Sequence, residues 1–255
     1  MAKQGLTFWK LMIACCFIIL TSYTVRHVPA TTPKVLIYCK TTRYHHESIP
    51  AGIAAIKALG RQHEFSVDTT TNALAFTTKN LKQYAAIIFL SPSGNSLSSS
   101  QQSAFKQFIQ SGGGFGGIHS AAAAEKDWPW YGQLVGAVFT DHPDPQQGYI
   151  NVQDHNDPST RHLPERWSWR DEWYNFRELP TNVHVLLCAD EASYTGGNNG
   201  PYHPLSWYHH FDGGRAFYTA LGHFSSAYSD PLFTRHLLGG IQYALGNTGL
   251  HDRHR

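Results

Sequence analysis

The sequence predicts an α/β domain in which a mostly parallel sheet carries helices on both faces. Short, wholly apolar runs, of which residues 35–38 (VLIY) are the first, are typical of strands buried in a parallel sheet. They alternate with longer segments whose apolar residues recur at helical spacing, and Gly, Pro or Asp separates the two kinds of segment. Such alternation is typical of sheets covered by helices on both sides.

The first half of the chain contributes four strands and two helices to this prediction. Strands are expected at residues 35–38, 65–67, 85–90 and 115–118. The first helix opens at Ser48 and Pro50, because Pro is tolerated in a first turn, and we expect Gly60 to end it. The second helix follows a capping-box pattern formed by Ser98 and Gln101.

The second half is less regular. Residues 128–182 are rich in Trp, His, Asp and Pro, and we predict that they form excursions over the sheet. Strands are expected near residues 149–152 and at 183–187, 205–211 and 215–220. The last two form a hairpin because residues 212–214 (DGG) are a strong turn signal. A final helix begins at Asp230 and ends near Gly246.

The N-terminus predicts export, and the charge argues against nucleic-acid binding. Lys3 and Lys10 precede an apolar run at residues 11–20, followed by a polar stretch to Ala30. Ten apolar residues fit a secretory signal and fall short of the ~20 that a membrane span needs. We therefore expect a signal peptide or N-terminal membrane anchor at 1–30, with cleavage, lipidation and retention left open, and a periplasmic or extracellular location. The net charge is only +2, and basic residues do not cluster in the body of the chain.

One domain is expected at residues 31–248, followed by a polar tail at 249–255. Its two cysteines, Cys39 and Cys188, lack the CxxC and metal-ligand spacings. We interpret them as two buried thiols rather than a disulfide.

Several polar residues directly follow predicted strands. Ligands of open parallel sheets bind beyond the carboxyl ends of the strands, so these residues should gather at one edge. They are Tyr44, His45, His46, Ser48, His119, Ser120 and His223. A lone histidine is usually structural, but several at one end of a sheet point to acid–base or ligand-binding chemistry.

The run at residues 117–121 (GIHSA) has the shape of a nucleophile elbow. His119 occupies the position of the nucleophile, which suits a general base or a metal ligand. The alternative is that the glycines of this region only permit close packing.

A second cluster, residues 171–176 (DEWYNF), holds further candidates. Adjacent carboxylates point in opposite directions on a strand, so we assign Glu172 as an acid or base partner and interpret Asp171 as a solvated loop residue. Tyr174, Asn175 and Trp207 are expected to hold a sugar, although aromatic residues often only pack. No cofactor is identified. A divalent metal is possible with sixteen histidines, yet no HExxH pattern occurs, so metal ligands stay unassigned.

The motifs resemble those of the ThuA-like (trehalose utilization) family. The matching runs are residues 44–50 (YHHESIP), 112–121 (GGGFGGIHSA), 128–131 (WPWY), 171–176 (DEWYNF), 203–207 (HPLSW) and 213–223, in that order. Tyr44 departs from the Arg that many relatives have there, so no charge role transfers to position 44.

The resemblance implies a flavodoxin-like, class I glutamine amidotransferase-like fold without amidotransferase chemistry, because His119 replaces the cysteine. It also implies a role in disaccharide catabolism, often beside a dehydrogenase that oxidises a sugar at C3. We therefore expect an enzyme acting on a disaccharide, glycoside or 3-keto-sugar through His119, His223 and Glu172. A non-catalytic carbohydrate-binding or sensing domain and a metal-dependent hydrolase are the alternatives. A homodimer is possible.

Overall fold

The computed structural model describes residues 32–179 and 181–247. The predicted export segment at 1–30 and the polar tail from 249 lie outside the described residues. Within the described ranges, no helix combines the length and the apolar character that a bilayer crossing requires.

Eleven strands and five helices are described in these ranges. The strands are β1 (Lys34–Tyr38), β2 (Ser66–Thr70), β3 (Ala86–Leu90), β4 (Gly114–Ile118), β5 (Val138–Phe139), β6 (Gln146–Val152), β7 (Arg166–Asp171), β8 (Phe176–Arg177), β9 (His184–Asp190), β10 (Pro204–Phe211) and β11 (Gly214–Thr219). The helices are α1 (Ile49–Gln62), α2 (Thr78–Leu81), α3 (Ser99–Gln110), α4 (Pro129–Val135) and α5 (Pro231–Ala244).

The central sheet has the strand order β2-β1-β3-β4-β11-β10-β9-β6-β7, and β5 pairs with β8 separately. The pairings from β2 to β11 are parallel, whereas those from β11 to β7 are antiparallel. Consequently only β10 and β6 run against the other strands of this sheet. The predicted α/β class and mostly parallel sheet are confirmed, and the carboxyl ends of β1, β4, β7 and β11 share one edge.

The sheet is covered on both faces. Phe115 of β4 packs against Phe105 of α3 on one face. On the other face α5 comes so close that a Cβ on Gly114 would lie 1.9 Å from the carbonyl oxygen of Ala244. The glycine-rich fourth strand is therefore a packing requirement of α5.

The helix ends follow the sequence signals with one exception. Ser98 and Gln101 form the predicted capping box, and the Asp230 carboxylate accepts the Leu232 and Phe233 amides at the start of α5. Gly60 does not end α1, which continues to Gln62; that prediction was wrong. Gly60 instead allows a close approach, because a Cβ there would lie 2.5 Å from the Phe65 carbonyl oxygen.

The irregular middle of the chain extends the sheet instead of only crossing over it. β7 alternates exposed and buried residues, with Trp167, Trp169 and Asp171 turned inward. The predicted hairpin is confirmed as β10–β11, and Asp212 and Gly213 both have positive φ, as a two-residue type I′ turn requires. Cys39 and Cys188 are free and buried, as predicted.

Candidate active site

His119 sits at the predicted sharp turn after β4. Its φ of 53° lies in the left-handed region, which costs a non-glycine residue about 1 kcal/mol or more, and a 3₁₀ turn (His119–Ala123) follows it. The imidazole is completely buried, and its Nδ1 lies 2.7 Å from the carbonyl oxygen of Ala220, at the end of β11. A carbonyl can only accept, so Nδ1 donates and Nε2 is the atom directed at the other side chains of the site.

His46 approaches His119 from the loop between β1 and α1. The two Nε2 atoms are 3.0 Å apart, and His46 Nδ1 lies 3.4 Å from the Ser120 hydroxyl. Ser48 holds this loop in place, because its hydroxyl donates to the Gly222 carbonyl across the sheet edge. His46 after β1 and His119 after β4 thus meet at one point. The loop after β11, which carries His223, lies next to them.

Glu172 joins the histidines from the end of β7. Its Oε2 lies 3.2 Å from His119 Nε2, and its Oε1 lies 3.1 Å from His223 Nδ1 and 3.4 Å from His142 Nε2. β7 stands four strands from β11, roughly 19 Å away in a flat sheet. The antiparallel half must therefore curl back over the sheet edge to deliver Glu172.

Asp171 is not the solvated loop residue that we predicted. It is completely buried, and its two oxygens accept four hydrogen bonds, from the amides of Glu172, Gly222 and His223 and from the Trp169 indole. This carboxylate joins the end of β7 to the loop after β11, and so it positions both Glu172 and His223.

Tyr174 completes the group around His119. Its hydroxyl lies 2.9 Å from His119 Nε2, and its ring stacks on the imidazole at 4.5 Å. Burial, reinforced by the Glu172 charge, raises the pKa of Tyr174 well above its usual value, so the phenol keeps its proton and donates it.

The charges of the site are set by burial and by these contacts. Burial, together with His119, lowers the pKa of His46 to about 3 and keeps it neutral. Burial alone would raise the pKa of Glu172, but its contacts with His119 and His223 outweigh burial and lower it, so the carboxylate is ionised. The pKa of His223 is correspondingly raised, because Glu172 outweighs the opposing effect of burial.

A cavity of about 490 Å³ opens beside this cluster, within the size range of small-molecule sites. Five predicted site residues line it: Tyr44, His46, Ser120, Glu172 and Tyr174. His119 lies directly behind the last two and does not reach the cavity surface.

Four predicted residues serve other purposes. His45 is exposed and contacts the Thr41 hydroxyl, while Ser48 ties two loops together as described. The Asn175 amide hydrogen-bonds Asp141 and the loop at residues 196–198, and the Trp207 indole is buried with its N–H donated to Val135. Neither Asn175 nor Trp207 lines the cavity, because both side chains are buried and occupied in these contacts, so the proposal below gives them no contact with a sugar.

Sequence reasoning missed several cavity residues. Ser93, Gly94 and Asn95 line the cavity directly after β3, so the strand-end rule applied to that strand would have found them. Phe139 and Lys126 also line it, with the ammonium 4.8 Å above the ring. Phe139 lies in the irregular region and Lys126 just before it, and no sequence signal places either residue at the site.

The fold defines a flavodoxin-like α/β domain, and the sharp turn after β4 carries His119. The model of the ThuA family, described as trehalose utilisation, matches residues 34–244. The chain belongs to the ThuA family, and its role at family level is in carbohydrate utilisation.

Solved structures share this fold. A ThuA-like protein of Bacteroides uniformis is 26% identical with a TM-score of 0.71, over 87% of this chain and 95% of that one. A ThuA-like protein of Parabacteroides merdae is 20% identical with a TM-score of 0.68, over 84% of this chain and 90% of that one. The fold also resembles part of a Bacillus circulans β-galactosidase, with 14% identity, a TM-score of 0.55 and coverage of 84% of this chain and 31% of that one. No curated protein matches the sequence.

Proposed function

We propose that the protein is an enzyme that transfers protons on a disaccharide, glycoside or 3-keto-sugar bound in the cavity beside Glu172. The observation that carries the proposal is the Glu172 carboxylate, which lines the cavity and is held ionised within 3.4 Å of three histidines. An ionised carboxylate at the cavity surface can accept a proton, and the histidines that weaken it as a base can take up the charge that this transfer leaves behind.

Tyr174 is the matching hydrogen-bond donor. It also lines the cavity, and its raised pKa keeps the phenol protonated. Its O–H, which lies against His119 Nε2 in the structure, would turn to stabilise a developing negative charge on substrate oxygen. The Nε2 of His119 contacts both the Tyr174 hydroxyl and the Glu172 carboxylate on the side away from the cavity. His119 is therefore well placed to orient both groups and to exchange protons with them.

A 3-keto-sugar fits this pair of groups. The carbonyl at C3 acidifies the hydrogen on C2, so Glu172 can take that proton while the electron pair moves to the C3 oxygen and forms an enolate. Return of the electron pair then follows one of two routes. Either it expels the C1 oxygen substituent, which takes the proton from Glu172 and leaves as an alcohol with a C1–C2 double bond behind it, or C2 takes the proton back on its other face, which isomerises the sugar. Each route balances without an external oxidant or reductant.

The rim of the cavity supplies contacts for the sugar itself. The Tyr44 ring is 62% exposed and packs edge-on against His46, so it offers an apolar surface to a pyranose face. Ser120 and His46 offer polar groups beside it. We further propose that a C3-oxidising sugar dehydrogenase supplies the substrate and that the protein acts after export.

The test uses the purified full-length protein with trehalose and with 3-keto-trehalose, followed by NMR. We expect turnover of the keto-sugar, near-complete loss in Glu172→Gln and a large loss in Tyr174→Phe. His45→Ala is the matched control and should stay active, because its side chain is exposed and away from the cavity. Sugar-dependent shifts without turnover would contradict the enzyme and support a binding or sensing domain; undiminished turnover in Glu172→Gln would contradict the role of that residue.

A further inference from the structure

We propose that His46, His119, Glu172 and His223 form a binding site for one divalent first-row transition-metal ion of the zinc type. One ligand atom from each residue lies within 4.8 Å of all the others. Three imidazoles with one carboxylate are donors that such ions prefer. The metal site stands on geometry alone, whereas a catalytic role for the ion would rest on the proposed function.

The tautomer of His119 directs a lone pair into the group. Its Nδ1 donates to the Ala220 carbonyl, so a neutral ring has an unprotonated Nε2. A backbone carbonyl in this position is the usual outer partner of a metal-ligating histidine. The strained turn at residue 119 thus presents a nitrogen prepared to bind a cation.

His46 is oriented in the same way. The Ser120 hydroxyl donates to the Pro92 carbonyl at 2.9 Å, so the serine oxygen is free to accept from the Nδ1–H of His46. That leaves His46 Nε2 unprotonated as well, 3.0 Å from His119 Nε2. Two lone pairs facing each other at this distance repel unless a cation or a proton lies between them. The Tyr174 O–H partly satisfies His119 Nε2 in the structure and would turn away when an ion binds.

A proton cannot satisfy the whole group. His119 Nε2 also lies 3.2 Å from Glu172 Oε2, and one N–H can point to only one of these acceptors. A metal ion attracts all of them at once. Tetrahedral zinc with ligands at about 2.1 Å separates neighbouring ligand atoms by roughly 3.4 Å. The spacings of 3.0 Å and 3.2 Å from His119 Nε2 to His46 and Glu172 are close to this value.

The position of the group suits an ion with an open coordination place. His46 and Glu172 line the cavity, while His119 is completely buried, so an ion held between them would meet substrate oxygen from one side. In the proposed reaction its charge would stabilise the enolate oxygen.

The experiment measures metal binding without substrate. Chelator-treated full-length protein is reconstituted with Zn²⁺ and, separately, Co²⁺, then freed of unbound ion; metal per chain, the Co²⁺ visible spectrum and the thermal shift are recorded. We expect about one ion per chain, as for a single site, and at least tenfold weaker binding in His46→Ala and His223→Ala. His45→Ala is the control for His46→Ala and should bind like the unmodified protein.

Circular dichroism checks that each variant folds. Because two ligand residues are changed separately, the test stays decisive if one of these two variants does not fold. Absence of stoichiometric Zn²⁺ and Co²⁺ in the folded protein, or unchanged binding in both ligand variants, would overturn the metal site. The two proposals fail separately. Metal binding without keto-sugar turnover removes the reaction only, and turnover by a protein that binds neither Zn²⁺ nor Co²⁺ removes the metal site only. Turnover by chelated protein that does bind the ions removes the catalytic role of the ion.

Discussion

Replacing Asp171 by Asn should destabilise the domain strongly, although the change removes no volume. The two carboxylate oxygens each accept two hydrogen bonds in a fully buried position. An amide keeps one oxygen but turns an NH₂ group toward two N–H donors. Leaving two buried donors without acceptors costs about 1–3 kcal/mol each, so we expect a loss of about 3 kcal/mol.

For a domain of this size, that loss corresponds to a decrease in Tm of roughly 6–12 °C. Thermal and urea unfolding followed by circular dichroism measure it, and the free energy of unfolding from urea checks the Tm. Asp144→Asn is the control, because it is the same chemical change at an exposed loop position. It should shift Tm by less than about 2 °C. An equally small shift for Asp171→Asn would refute the assigned hydrogen-bond network.

Three further predictions concern packing and burial. Gly114→Ala should cost about 3 kcal/mol or more in urea unfolding, because its Cβ would lie 1.9 Å from a backbone oxygen of α5, whereas Gly132→Ala, with a nearest contact of 3.1 Å, should stay within about 1 kcal/mol; equal losses would contradict this account. Burial lowers the pKa of His236 to about 4, so between about pH 6.5 and 4 the unfolded chain binds more protons than the folded one, and stability decreases as the pH is lowered. His236→Gln should remove roughly 2 kcal/mol of the stability loss between pH 7 and pH 5. Parallel curves of stability against pH for the two proteins would contradict this prediction. The thiols of Cys39 and Cys188 should react with a thiol reagent only on unfolding, since both are buried and burial raises the pKa of each; rapid reaction of the native domain would contradict their burial.

The parallel part of the fold could be predicted because its strands are buried on both faces. Such strands are continuous apolar runs, and the glycine and capping signals between them fix the helices to within a few residues. β7 escaped prediction although its sequence RWSWRD alternates inward and outward residues with the period of a half-buried strand. The surrounding region is rich in Trp, His and Pro, which favours irregular structure, so no strand was predicted there. Asp171 was predicted to be a solvated loop residue for the same reason.

The candidate site was predictable only where it follows the strands. The elbow placed His119, and the strand-end rule placed His46 and His223 beside it. Alternation predicted that only one of Asp171 and Glu172 faces the site, and the structure brings Glu172 to the cavity with Asp171 buried behind it. How far β7 reaches toward the site depends on how the sheet curls, which no local pattern encodes. Trp207 shows a second limit of the sequence. Composition cannot distinguish an indole that packs in the core from one that stacks on a sugar.

A histidine at the elbow changes what this fold can do. The strained turn still holds one side chain over the sheet edge, but that side chain is locked by the Ala220 carbonyl and screened from the cavity by Glu172 and Tyr174. It is therefore badly placed to attack a substrate. In the proposed function, His119 holds Glu172 and Tyr174 in position, and these two residues, which follow β7 in the antiparallel half of the sheet, carry out the chemistry.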